Sequence, residues 1–322
     1  MSRRPIVSTL LAVAGLSLTM AGAQRGEPEQ KTLRMQVLTV QDGTAPFGGA
    51  LLYLITGGGG TTLALVDEGS GGVVLVDTKS AGWGKPLIDA LRSVTEMPVT
   101  TIINTHAHRD HTGSNNEFPT ATQIVAHANT KANMIKMDAF GGPNEHGLPN
   151  KTFTEMVSLL NGPNRIDLYY FGPGHTDGDA IVVFPGKRLA YLGDLFPSKA
   201  APSIDTSNGG SGVAFPETLA KTLEITGIDR VITGHGLARG DRGTPVAVAG
   251  RSPEPEIMTW ADLQEYAAFN RDFLSAVRQA WTAGKSVDEA VASLNLQEKY
   301  QHYGMEHAKA NVQAIYNELK RP

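Results

Sequence analysis

His106-Ala107-His108-Arg109-Asp110-His111 places three imidazoles and a carboxylate within six residues. In a straight strand, alternation puts His106, His108 and Asp110 on one face and His111 on the other, whereas a turn can aim all four inward. The preceding Val99-Thr100-Thr101-Ile102-Ile103-Asn104 is β-branched and apolar, so the run is expected to begin where a buried strand ends. A loop at a strand end can deliver ligands to two metals. Four polar residues on an exposed loop would be the blander account, but the chain has only nine histidines and three of them lie here.

Two further histidines follow strand-like segments and are flanked by glycine, in Gly172-Pro173-Gly174-His175-Thr176 and Thr233-Gly234-His235-Gly236. Between them, Leu189-Ala190-Tyr191-Leu192-Gly193-Asp194 is an apolar run that ends in a carboxylate. Glycine beside a ligand permits the backbone angles of a tight turn and a close approach of the chain to the ion. Imidazole and carboxylate donors without any cysteine suit zinc, iron or manganese, with zinc the first expectation. The seven donors exceed what one tetrahedral ion takes, so two divalent ions are expected.

In this order the motifs resemble those of the metallo-β-lactamase-fold metallohydrolase superfamily: H-x-H-x-D-H at His106 to His111, G-H-T from Gly174, G-D at Gly193-Asp194 and G-H-G from Gly234. The resemblance covers roughly residues 35–240. It implies an α/β fold, an αββα four-layer sandwich of two sheets packed face to face with helices outside and the metals at one edge. It also implies a first metal site of His106, His108 and His175, a second of Asp110, His111 and His235, and a bridging Asp194. Asp110 would be catalytic as well, orienting a metal-bound hydroxide that opens an ester, thioester or amide carbonyl of a small-molecule substrate. Glyoxalase II and many lactonases carry the bridging aspartate, which true β-lactamases of the superfamily generally lack, so lactone-like substrates are favoured. Competing readings are a β-lactam hydrolase, an iron-dependent redox enzyme of the same fold, and a noncatalytic metal-binding protein. The remaining histidines receive structural readings: His127 as a satisfied core residue, His146 on a loop, His302 and His307 as solvated residues of a polar C-terminal helix.

The amino terminus reads as an address. Arg3 and Arg4 precede an apolar stretch, and Ala21-Gly22-Ala23 offers the small residues of a cleavage site. Residues 1–23 are expected to be a signal peptide cut after Ala23, and the protein to be periplasmic or secreted. Ser8, Thr9, Ser17 and Thr19 interrupt the stretch, which disfavours a stable membrane anchor. Residues 24–32 read as a flexible tether, 33–258 as the catalytic domain and 259–322 as a helical extension. The formal charge of −4 becomes more negative once the two leader arginines are lost, which argues against a nucleic-acid partner. Without cysteine there is no disulfide.

Elsewhere, residues 50–55, 61–66 and 73–77 read as consecutive antiparallel strands, the glycines at 57–60 as a hairpin turn, and 85–94 as a helix. Residues 166–171, 180–184 and 188–192 read as strands and 215–226 as a helix. The stretch 136–162 with its neighbour Met134 carries Met137, Phe140, Phe153, Met156 and Leu159, which makes it a candidate pocket wall. The alternative there is a core-facing helix at 156–160. A second pocket loop is expected at 240–255. Trp260, Leu263, Tyr266, Phe269, Phe273 and Val277 form a helical stripe, and further helices at 286–294 and 305–319 would cover the sandwich or build a homodimer surface.

Overall fold

Central strands buried on both faces, flanked by more exposed edge strands, build two sheets. The computed structural model describes residues 31–38, 50–119, 122–235 and 257–320. The leader at 1–23, most of the tether and the 240–255 loop lie outside the described residues.

The first sheet collects β1 (Arg34–Val37), β2 (Leu51–Thr56), β3 (Thr62–Asp67) and β4 (Gly72–Val76) as an antiparallel meander. Helix α1 (Gly84–Arg92) then carries the chain back to β5 (Val99–Ile103), which lies parallel to β4. A parallel return needs such a crossover. After the one-turn helix α2 (Arg109–Thr112) come β6 (Gln123–His127), α3 (Ala128–Ile135) and β7 (Lys151–Phe153), and the sheet order is β1 through β7. The second sheet begins with β8 (Met156–Leu159), β9 (Ile166–Tyr169), β10 (Ile181–Phe184) and β11 (Leu189–Tyr191), again antiparallel. Helix α4 (Phe215–Thr222) leads to β12 (Arg230–Ile232), parallel to β11, and β13 (Ile257–Thr259) closes the edge. Three helices follow: α5 (Trp260–Thr282), α6 (Val287–Ala292) and α7 (Ala308–Leu319).

The layers follow from side-chain period. Leu63, Leu65, Val74 and Val76 of the first sheet meet Leu168, Val182, Phe184 and Tyr191 of the second in the central core. The intervening Ala64, Val66, Val73 and Leu75 face outward onto Leu87 and Leu91 of α1. Ile181, Val183, Ala190 and Val231 face the other way, onto α4, α5 and α7 through Phe215, Leu263, Tyr266, Phe269 and Ile315. The result is an αββα sandwich whose C-terminal helices form part of one outer layer. Burial on both faces explains why these strands read as continuous apolar runs. Helix α5 begins at a capping box in which the Thr259 hydroxyl accepts from Asp262 N and the Asp262 carboxylate accepts from Thr259 N. Among the described residues no helix is long and apolar enough to cross a membrane.

Two expectations are corrected. Residues 156–159 form the edge strand β8, paired to β9, and not a helix. Met134 and Phe140 are buried against Ala107, and Phe153 and Leu159 lie in the central core, so these four do not line a pocket. In addition, His302 and His307 are exposed but precede α7 and do not form part of it.

Candidate metal centre

The ligand motifs all leave the same edge of the sandwich. His106 to His111 follow the end of β5, Asp194 follows β11, and His235 follows β12. His175 lies on the turn between β9 and the antiparallel β10. Ligand sites at the carboxyl ends of strands are the usual outcome where parallel strands diverge.

The seven residues read from sequence converge into two groups. His106, His108, His175 and Asp194 bring ligand atoms within 4.8 Å of one another, as do Asp110, His111 and His235. Asp194 stands between them. Its Oδ2 lies 3.9 Å from His106 Nε2 and 3.7 Å from His175 Nε2, and its Oδ1 lies 3.3 Å from His111 Nε2 and 3.2 Å from His235 Nε2. Asp110 Oδ2 is 3.2 Å from His235 Nε2 and 3.6 Å from His111 Nε2. Donors bound to one tetrahedral zinc sit about 3.3 Å apart, so these spacings fit ions. A second observation agrees: His106 Nε2 and Asp194 Oδ1 are buried and make no hydrogen bond. Buried polar atoms are rarely left so, and two that point into a ring of donors fit a cation.

The outer partners fix which nitrogen faces inward. His106 Nδ1 lies 3.0 Å from Thr105 Oγ1, and His175 Nδ1 lies 2.6 Å from Ser203 O, which leaves Nε2 of each ring to the centre. His108 is reversed, its Nε2 held 2.7 Å from Asp205 Oδ2 and its Nδ1 turned inward, 2.9 Å from His175 Nε2. His111 Nδ1 is 2.7 Å from Asp77 Oδ2. Sequence reading missed Asp77, Asp205 and Tyr191, whose hydroxyl donates to Asp77 Oδ2 at 3.1 Å. Asp77 ends the apolar run of β4 just as Asp194 follows that of β11, a signal the two share.

Electrostatics follow from burial and crowding. Burial, with His111 beside it, pushes the His106 imidazole well below its usual range, which keeps it neutral and able to donate a lone pair. Burial opposes ionisation of Asp110, but its hydrogen bond to His235 and the nearby imidazoles hold its carboxyl down to about 2. Burial alone would lower His235, yet Asp194 and the bond to Asp110 raise it to about 9. Asp110 and Asp194 are thus held ionised against the imidazoles of the second group, and a cation bound among them would take over the role the imidazole protons play.

Glycines let the pieces close. A Cβ on Gly60 would lie 2.3 Å from His111 Cε1, and one on Gly234 would lie 2.2 Å from Asp194 Oδ1. Below the centre the wholly buried Lys79 donates to Ile55 O at 2.7 Å and Gly60 O at 2.6 Å. Asp77 and Lys79 both have left-handed backbones, at φ 61° and 72°. Such strain, about 1–3 kcal/mol per residue, persists where surrounding contacts over-determine it. His127 belongs to neither group. It stacks on Tyr170 at 3.8 Å, its Nε2 lies 3.1 Å from Thr154 O, and it caps α3 by accepting from Asn129 N.

A four-layer sandwich with paired histidine and aspartate groups at its strand ends defines a class of metal-binding hydrolase folds. The family model described as the metallo-beta-lactamase superfamily matches residues 51–238, and the chain belongs to that superfamily. It is 36% identical over 156 residues to the 2,4-dinitroanisole O-demethylase subunit alpha of Nocardioides sp., covering 47% of this chain and 45% of that one. It is 30% identical over 145 residues to the hydroxyacylglutathione hydrolase of Synechocystis sp., covering 44% of this chain and 49% of the relative. Metallo-beta-lactamase type 2 of Bacillus cereus is 29% identical over 186 residues, 56% of this chain and 68% of the relative. The chain therefore spans about half the length of the first two. In structure it is similar to a stereoselective inverting sec-alkylsulfatase from Pseudomonas sp., with TM-score 0.63 and 12% identity over 84% of this chain and 49% of that one. It is also similar to a metallo-beta-lactamase from Pontibacter korlensis, with TM-score 0.52 and 16% identity over 74% and 99%. At such identities the structural likeness speaks for the fold alone.

Proposed function

We propose that the chain is an exported, dinuclear, zinc-dependent hydrolase that opens an ester, thioester or amide carbonyl, with lactone-like substrates favoured. The observation that carries this reading is Asp194, whose two carboxyl oxygens face the two groups separately. His106 Nε2, His108 Nδ1 and His175 Nε2 would hold one ion, Asp110, His111 Nε2 and His235 Nε2 the other, and Asp194 would bridge. Divalent cations bound there supply Lewis acidity, lowering the pKa of water toward neutrality and polarising a carbonyl.

The side chains set the rest. The Asp110 side chain is 37% exposed, against 12% for Asp194, so it is the carboxylate open to an incoming molecule. Kept ionised by its neighbours, it accepts a hydrogen bond from the attacking water and aims the lone pair of that water at the carbonyl carbon. The buried His106 and His175 keep bulk water from the inner side. Similarity to a hydroxyacylglutathione hydrolase supports acyl substrates, and similarity to a metallo-beta-lactamase supports β-lactam hydrolysis as the second reading. On this reading residues 33–258 are the catalytic unit, 259–322 a helical extension, and 1–23 a leader removed after Ala23.

The test is metal content by mass spectrometry on purified protein, combined with turnover of lactones, thioesters, nitrocefin and 2,4-dinitroanisole with and without a chelator. About two zinc ions per chain and chelator-sensitive lactone or thioester turnover are expected. Nitrocefin turnover alone would install the second reading. Asp110→Ala should lower kcat about 10²- to 10⁴-fold while leaving circular dichroism unchanged; full activity in that variant would remove Asp110 from the mechanism.

A further inference from the structure

The loop of residues 199–212 contributes no ligand, yet it grips the first histidine group from outside. Ser203 O and Asp205 Oδ2 orient His175 and His108. The same loop bonds the backbone of that turn, with Asp205 N donating to His175 O at 2.9 Å and Ser211 N to Gly174 O at 3.0 Å. Both ends of the loop are in turn held by α7. Asn311 Nδ2 donates to Pro202 O at 2.6 Å. At the other end, Ser211 Oγ and Gly212 N donate to the two carboxylate oxygens of Glu318, the latter at 2.8 Å. Between them Ile315 packs so closely on Gly212 that a Cβ there would lie 2.5 Å from Ile315 Cγ1. Asn311, Ile315 and Glu318 are spaced four and three residues apart and so form one stripe along the helix.

We propose that this stripe of α7 is a positioning element for the first metal group: it fixes residues 199–212 so that Ser203 O and Asp205 hold His175 and His108 as ligands. The proposal rests on the reading of the metal centre given above. Among the described residues, the contacts that orient the second group come from elsewhere. His111 is oriented by Asp77, and the backbone of His235 donates to Pro197 O at 3.1 Å. Loosening α7 should therefore affect the first group more than the second.

Glu318 is only partly buried, so its replacement leaves the core intact. Metal-free full-length wild type, Glu318→Ala and Glu318→Gln are titrated with Zn2+ against a chromophoric chelator, with His108→Ala and His235→Ala marking which binding step belongs to which group. Thermal midpoints and hydrogen exchange over residues 199–212 are read on the same samples. Glu318→Ala should weaken the step lost in His108→Ala by about tenfold, the lower end for outer-shell partners, and leave the other step within about twofold. Glu318→Gln keeps an acceptor oxygen and should lose less. Equal weakening of both steps with a lowered midpoint, or no weakening, overturns the proposal. If wild type takes up no Zn2+, the reading of the centre fails. Exchange over 199–212 then decides on α7 alone: acceleration in Glu318→Ala supports the clamp, and unchanged protection overturns it.

Discussion

At Asp77 one fully buried carboxylate accepts from Thr105 N at 2.9 Å, Thr105 Oγ1 at 2.8 Å and the Tyr191 hydroxyl while it orients His111. Removing it strands those groups, so Asp77→Ala should destabilise the metal-free protein by about 3 kcal/mol in urea denaturation. The same variant should weaken Zn2+ binding at the second group about 10- to 100-fold in chelator competition. Lys79 gives a pH signature. Burial pushes its amine down to about 7, with Asp77 and Asp110 offsetting only part. An unfolded lysine keeps its proton to about 10.4, so between these values the unfolded chain binds the extra proton and stability rises with pH. That contribution is complete above the unfolded value and is lost as pH falls through 7. Denaturation at pH 7 and pH 10 should show a shallower rise in Lys79→Met than in wild type. The seven candidate ligand residues were legible as a set because they are compressed into short motifs, and the structure brings them together. Asp77, Asp205 and Lys79 were not, since each is a common residue whose role exists only once distant strands have met.

The turn of glycines between β2 and β3 is legible as a hairpin, and the structure forms that hairpin. Its second task is invisible in sequence. Gly60 N donates to Asp110 O at 3.0 Å, Thr61 N to Gly234 O at 2.8 Å, and the His111 ring lies over Gly60, so the turn is a floor under the second group. Gly60→Ala should weaken Zn2+ binding there by about tenfold, as loss of an outer-shell partner does. Gly71→Ala is the control: its φ of +69° strains an alanine but nothing lies within 4 Å of the added atom. It should lower stability by about 1 kcal/mol and leave affinity unchanged. Equal affinities for both variants would remove the floor role. Element type was readable where runs were long, as at α1 and α5, and failed at β8. Four residues there suit a helix turn or a strand equally, and pairing to β9 decides.

Across the whole molecule the candidate ligands come from both sheets, His106 to His111 from the first and His175, Asp194 and His235 from the second. Ions bound between them would tie the sandwich together at one edge. Free metal at a thousand times Kd stabilises by about 4 kcal/mol, a midpoint shift on the order of 10 °C for a chain of this size. Calorimetry with and without a chelator checks this; coincident transitions would mean that the sheets hold without the centre. The sandwich itself was legible chiefly through the ligand motifs and their resemblance, because strands buried on both faces carry no alternation to reveal which sheet they join. One consequence concerns the order of assembly. A chain made from its amino end carries His106, His108, Asp110 and His111 through the residues of β7 before His175, Asp194 and His235 exist. That early fragment carries only two of the protein donors proposed for each ion, fewer than the three or four that protein zinc sites use. Tight uptake would therefore wait until β12 has docked beside β11, which would make a held ion a timestamp for completed folding.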